Sequence, residues 1–205
     1  MIDINIVKSS LIKFYLGESE NYREEATVTT ARSKPIDAAV LVCLVGFREG
    51  PRVILTKRSK NLNHHAGQIS FPGGRLETTD ESLEEAALRE TNEEIGVDCR
   101  RIKLLGRLPS QDVMSGFRIH PFVGWIPSVP KYRHDPFEVD EIFEVPLEFL
   151  LNPRNHHFQT KFVDGKRIGF YSITYNNRYV WGATAAIIVN LYRAISNYAS
   201  PLLKR

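Results

Sequence analysis

Two cysteines in 205 residues are too few for a disulfide framework, and neither sits in a Cys/His spacing of the zinc-binding kind. Cys43 lies in an apolar run and is expected to pack as a small hydrophobe, while Cys99 follows a helix. A reducing cytoplasm is therefore the expected setting. Long hydrophobic runs are missing too. The apolar run from Ala38 to Val45 is far short of the ~20 residues that a membrane helix needs, so no membrane partner is expected. The opening MIDINIVKSS has no basic region leading into an apolar core, which argues against a signal peptide. Basic residues are dispersed and no run of five exists. A net charge of +3 suits a small anionic substrate without demanding nucleic acid. No repeat or low-complexity tract is present.

What is present is ordinary globular composition, 42% hydrophobic and 25% charged, in a length that fits one domain over 1–205. Ile4, Val7, Leu11 and Phe14 repeat at helical spacing and predict an amphipathic helix over 3–16. Residues 17–36 are polar and read as an arm, so that 1–36 packs on or over the domain. Ala38–Val45 and Val53–Thr56 read as a hairpin-like strand pair broken at Gly50-Pro51. Arg58–Gly67 is a polar loop. Strands are expected at 102–108, 118–126, 138–145, 157–163, 167–175 and 179–181, with Pro121 marking an edge or bulge. Asp164-Gly165-Lys166 signals a hairpin. Pro146–Leu151 predicts a short helix. Thr184 is a candidate cap for a last helix striped by Ile187, Leu191, Ala194 and Tyr198. Strands mixed with helices predict a mixed sheet between helical layers.

The stretch from His64 to Val97 carries the chemistry. Phe71-Pro72-Gly73-Gly74 is a turn signal, and a glutamate-rich helix follows it. Ser82 and Glu85 stand at capping-box spacing, and Gly96 follows the last apolar residue, Ile95. Glu90, Glu93 and Glu94 lie three and four residues apart on one face, where like charges repel. A hard divalent cation held by oxygen ligands removes that repulsion, and Mg²⁺ characteristically takes a few carboxylates plus substrate phosphate.

The ordered pattern Gly74-x6-Glu81-x7-Arg89-Glu90-Thr91-x-Glu93-Glu94-x-Gly96-Val97 resembles the signature of the Nudix hydrolases. These cleave nucleoside diphosphates linked to another group, with Mg²⁺ or Mn²⁺. The general signature has five residues before its first glutamate; here there are six, and Asp80 occupies the five-residue position. A second block, Leu55-Thr56-Lys57-Arg58-Ser59, Leu62, His65, Gly67-Gln68-Ile69 and Phe71-Pro72-Gly73-Gly74, resembles the extra motif of coenzyme A diphosphatases, where six is the usual spacing. Asn63 departs from the arginine common after Leu62 in that group.

The resemblance implies an α/β fold of the Nudix type, an αβα sandwich with a mixed sheet. It implies hydrolysis of the pyrophosphate of coenzyme A or its thioesters, giving 3′,5′-ADP and 4′-phosphopantetheine or its acyl form. Glu90, Glu93, Glu94 and Glu81 are the implied metal ligands. Arg89 is expected to pair with a glutamate and fix its direction; Glu81 either reaches the metal or is that partner. The general base is Glu90 or Glu141, the latter in a stretch where Glu138 and Asp140 compete with it. Lys57, Arg58, His65, Gln68, Gly73 and Gly74 are candidate substrate contacts. Trp181 within Trp181-Gly182-x-Thr184 is expected in the core, with stacking on the substrate as the alternative. A homodimer is compatible with all of this. The rival readings are a Nudix enzyme for NADH, ADP-ribose or capped RNA, and a Nudix-fold module that binds a nucleotide without cleaving it.

Overall fold

The computed structural model describes residues 3–18, 34–62, 65–163 and 165–198. Most of the expected arm lies outside them, as do Asn63, His64, Asp164 and the side chain of Tyr198. The amphipathic N-terminal helix is α1, Ile4–Glu18. β1 (Ile36–Val45) and β2 (Arg52–Arg58) are antiparallel, but their register joins only Leu44 with Val53 and Val45 with Arg52. Beyond that point the strands part. β3 (Ile69–Ser70) pairs with the far end of β2, and β4 (Gly73–Arg75) pairs with the first half of β1. The Phe71–Gly74 turn is thus wedged into a split sheet, with Leu41 N donating to Pro72 O at 2.9 Å.

β7 (Phe117–Ile126) runs parallel to β1 along its whole length. β5 (Lys103–Arg107) and β6 (Gln111–Asp112) line its other side, antiparallel, and β8 (Val139–Pro146) runs antiparallel along β2 into the expected short helix, α3 (Leu147–Leu150). The sheet is mixed, as expected. Pro121 does not mark an edge: its strand is central. Its carbonyl accepts from Leu108 N on the side where β5 has ended, so the ring nitrogen also faces the interval between β5 and β6. A missing N–H costs nothing there.

Alternation along β1 sends its side chains to two cores. Ala39, Leu41, Cys43 and Val45 pack against α2 (Leu83–Ile95) through Ala86, Ala87 and Ile95. Val42 and Leu44 face the opposite layer, where Leu11 and Phe14 of α1 meet Ile187 and Leu191 of α4 (Ala183–Tyr198). Each such side chain, when fully buried, contributes about 1.5–3 kcal/mol. The three late strands do not continue this sheet. β9 (His157–Val163), β10 (Lys166–Tyr175) and β11 (Arg178–Trp181) form a second sheet in the order β11-β10-β9. Its second hairpin turns at Asn176-Asn177, both at positive φ (44° and 65°), the conformation that a two-residue turn matching strand twist requires. Ile173 and Val180 anchor this sheet to the α1/α4 core. Thr184 does not cap α4. It lies inside the helix and its hydroxyl donates to Ile69 O at 3.0 Å, tying the helix to β3.

Candidate active site

The acidic helix is fixed at both ends by its own sequence. Ser82 accepts from Glu85 N at 3.1 Å, and Gly96, at φ 71°, returns its N–H to Asn92 O. The reciprocal half of the expected box is shifted by one residue: the Glu85 carboxylate accepts from Glu81 N at 2.6 Å. Ala86, Ala87, Thr91, Glu94 and Ile95 form the buried face. Helix geometry therefore drives Glu94 inward together with the apolar residues, leaving it 3% exposed. Its carboxylate has a long bond from Gly73 N (3.3 Å) and the Arg58 guanidinium at 3.8 Å. Burial pushes its pKa up to about 8, against a lowering by Arg58 and with further raising by the charges of Glu90 and Glu138. Burial also raises the Glu90 pKa, opposed by Arg89.

Glu90 faces the turn. A Cβ built on Gly74 would land on the Glu90 carboxylate, so that glycine is the space the carboxylate occupies. Gly73, at φ 153°, lies so close to the backbone of Ala39 and Val40 that a Cβ there has no room either. Glu93 is turned away, 55% exposed in its side chain, and accepts from Arg89 at 2.8 Å. Glu81 is exposed on the turn before the helix. Arg89 also donates to Glu90 at 3.0 Å, but its bidentate partner is Asp80, at 2.9 and 3.0 Å. Among the described residues the structure gives that pairing to Asp80 rather than Glu81, and Arg89 holds the Asp80 pKa low. The planar guanidinium needs two parallel acceptors, and Asp80 supplies them.

Strand alternation separates the two expected basic contacts. Arg58 falls on the α2 face and reaches Glu94. Lys57 falls on the other face, opposite Glu141 in the β2–β8 register. The same alternation sets Glu141 apart from the acidic face and leaves Asp140 exposed. Glu141 shares its strand face with Phe143 and Val145 of the α1/α4 core, and it pairs with Arg178, whose guanidinium lies 4.5 Å over the Phe143 ring. Glu141 therefore points away from Glu90 and Glu94. Glu138 is the acid whose charge acts on both. It sits just before β8, where Ser59 N donates to its carbonyl at 2.8 Å. Spacing alone gave no signal for this, and strand alternation does not place Glu138, because it lies outside β8.

His65 and Gln68 close the loop after β2. His65 Nδ1 lies 2.9 Å from Gln68 Oε1, and Gln68 O accepts from Arg58 N at 2.9 Å. His120 pairs instead with Asp37 at 2.8 Å. Arg58, His65, Gln68, Gly73 and Gly74 line one cleft of about 1400 Å³. Trp181 is half-buried on its far wall rather than in the core.

Among the described residues no three His, Cys, Asp or Glu side chains converge as a finished cation cage. The donor set nevertheless fits a hard cation. Glu94 is a carboxylate removed from water with little in the protein to compensate it, and Glu90 stands beside it. Burying an ionised carboxylate is costly unless it is paired, and these are oxygen donors alone.

Comparison with known proteins agrees with this geometry. The sequence model of the NUDIX domain matches residues 35–164. The chain belongs to the Nudix hydrolase family. A protein of Pectobacterium atrosepticum named as an uncharacterized Nudix hydrolase, NudL, is 39% identical over 160 residues, 78% of this chain and 83% of its own. The NudL of Yersinia enterocolitica is 37% identical over 159 residues, 78% and 81% of the two chains. Among solved structures, a MutT/nudix family protein from Enterococcus faecalis superposes with a TM-score of 0.52 at 16% identity, covering 96% of this chain and 75% of that one. DR0079 of Deinococcus radiodurans gives 0.52 at 16%, covering 82% and 89%. The last two bear on the fold alone. This Nudix protein is a pyrophosphohydrolase with an α/β architecture. Members of the family use divalent ions such as Mg²⁺ or Mn²⁺. No helix among the described residues is long and apolar enough to cross a membrane.

Proposed function

We propose that this Nudix hydrolase cleaves the pyrophosphate of coenzyme A or its thioesters, releasing 3′,5′-ADP and 4′-phosphopantetheine or its acyl form, in the cytoplasm. One observation carries the reading: the residues of the second motif, Arg58, His65, Gln68, Gly73 and Gly74, line a single cleft that opens onto the Glu90/Glu94 face of α2. In this reading the two motifs, which meet at Gly74, make one site. The alternatives are pyrophosphatases of the same family acting on NADH or ADP-ribose.

In this reading Glu90 and Glu94 hold Mg²⁺ or Mn²⁺, with Glu93 and Glu81 at the margin of the set. The ion supplies charge neutralisation at the diphosphate and acidifies the attacking water. The protein's part is positional. Arg89, clamped by Asp80, fixes the direction of Glu90 and Glu93. Gly73 and Gly74 leave the turn without side chains, so that a diphosphate comes close to the acidic face. Arg58 meets its negative charge. Glu138 orients and deprotonates the water, a role that Glu141 is turned away from. The test is a panel: the pure protein with Mg²⁺ or Mn²⁺ and coenzyme A, its acyl thioesters, NADH, ADP-ribose and a capped RNA, with products weighed by mass spectrometry. Faster turnover of NADH or ADP-ribose than of coenzyme A and all its thioesters would replace the reading with its alternative.

A further inference from the structure

The cleft is much larger than the site it serves. Pockets for small ligands commonly span about 300–1,000 Å³, whereas this one is about 1400 Å³. It begins at Gly73, Gly74 and Arg58 and runs between the two sheets, away from the acidic helix. One wall is the start of β1 and of β7, with Ile36, Val40, Phe117 and Ile119. The other is the second sheet, with Phe158, Ile168, Phe170, Tyr171 and Trp181, and with Lys161, whose ammonium lies 4.7 Å over the Trp181 ring. Ala183 and Ala186 of α4 lie at its base. These walls extend the apolar layer between the sheet and α4, which closes at Val42 and Leu44 but stays open here. Ile36 is 49% exposed, Met114 at its rim 46% and Phe158 62%. Leaving such surface in water is unfavourable, and concentrated exposed apolar surface marks a binding site.

Two further groups point to a ligand. Arg58 Nε and Gln111 Nε2 are buried in the cleft's lining with no acceptor among the described residues. An unmet buried donor is costly, so an incoming acceptor is favoured at both. The ligand class is then set from the catalytic end outward: an anionic diphosphate at Gly73 and Gly74, acceptor groups on the arm that follows, and an apolar tail along the aromatic wall. A nucleobase offers a flat ring with polar edges and by itself does not fill a cleft of about 1400 Å³.

We propose that the cleft is the subsite for the fatty chain of an acyl thioester of coenzyme A, and that medium and long acyl chains are preferred over free coenzyme A. The proposal rests on the coenzyme A reading above and deepens it. The diphosphate supplies the acceptor for Arg58, a pantetheine amide supplies one for Gln111, and the acyl chain covers Ile119 and Phe158.

The test compares kcat/KM for coenzyme A and its acetyl, hexanoyl and decanoyl thioesters, with NADH and ADP-ribose alongside, in wild type, Phe158→Ser and Ile119→Asn. Metal-free calorimetric binding of coenzyme A and of its decanoyl thioester is measured in parallel. Each fully buried methylene is worth about fourfold, so burial of even part of the chain raises kcat/KM at least about tenfold from acetyl to decanoyl. Binding tightens in the same order, and both variants bring the decanoyl-to-acetyl ratio down to within about twofold of one. Phe158 is mostly exposed, so its variant keeps the test sound if Ile119→Asn misfolds. A flat chain-length profile, or a ratio untouched by Phe158→Ser, overturns the subsite while the coenzyme A reading stands. An equal loss on every coenzyme A substrate places the nucleotide half in the cleft and overturns it too. Hydrolysis of NADH or ADP-ribose with none of coenzyme A or its thioesters removes the underlying reading.

Discussion

The guanidinium of Arg58 stands 3.8 Å from a carboxylate oxygen of Glu94, joining the end of β2 to the buried face of α2. Arg58 is thereby committed to the acidic end of the cleft. Its effect on substrate should fall on the diphosphate common to every candidate, not on a phosphate elsewhere in the molecule. Arg58→Ala is expected to lower kcat/KM by about one to two powers of ten, the worth of a charge-assisted hydrogen bond. The loss should be equal for coenzyme A and dephospho-coenzyme A. Arg58→Lys should recover part of it, because a single ammonium lacks the planar fork. A loss confined to coenzyme A would instead make Arg58 the reader of the 3′-phosphate.

Glu94 gives the metal-free protein a pH signature. A free glutamate has a pKa of about 4.3; in the fold Glu94 is raised to about 8, first by burial. The fold therefore favours the neutral form. That contribution to stability is complete below about pH 4 and is lost as pH rises through 8, at up to about 1.4 kcal/mol per pH unit. In EDTA, thermal unfolding should move to lower temperature between pH 5 and 8. Glu94→Gln should flatten the slope, match or exceed wild type in Tm at pH 8, and lose activity by at least about 100-fold with Mg²⁺. A Glu94→Gln protein with wild-type turnover would remove Glu94 from the metal set.

How far the sequence reached can be judged at particular residues. The acidic helix was legible because its caps, Ser82 and Gly96, and its charge spacing are local signals. So was the mixed α/β layering. The register was not. That β1 and β2 part after two residue pairs, letting the Gly73–Gly74 turn into the sheet, depends on pairing between residues as far apart in the chain as Ala38 and Arg75. The three late strands read as more of the same sheet, since alternation alone does not say which sheet a strand joins. Asp80 looked out of register in the motif, yet it holds Arg89, because a turn rather than a helix positions it. Lys57 and Arg58 read as a pair, whereas the pleat sends neighbours to opposite faces.

The two glycines of the turn should fail differently. A side chain at Gly73 meets the backbone of Ala39 and Val40 and also needs φ near 153°, so nothing nearby yields. Gly73→Ala should cost about 1–3 kcal/mol or more of stability. At Gly74 the obstacle is the Glu90 carboxylate, the mobile end of a side chain. Gly74→Ala should fold with a Tm close to wild type and lose kcat, because the carboxylate is pushed aside. Denaturation curves and kinetics on the same preparations separate the two, and equal destabilisation would show that Glu90 does not yield.

Strand face turns Glu141 away from the acidic helix, and this decides where the base is sought. Glu138 acts electrostatically on both Glu90 and Glu94, while Glu141 lies on the far face against Arg178. A group that orients and deprotonates water in the transition state lowers kcat when removed and leaves KM nearly unchanged. Glu138→Gln should therefore reduce kcat by about 10²–10⁴, the usual contribution of a positioned base. Glu141→Gln should leave kcat within about twofold. It breaks a partly exposed ion pair, so its mark should be a fall in stability of no more than about 1 kcal/mol. A kcat loss with Glu141→Gln and none with Glu138→Gln would mean that β8 turns over its face in the working enzyme. Losses with neither would leave Glu90, already raised in pKa by burial, as the base.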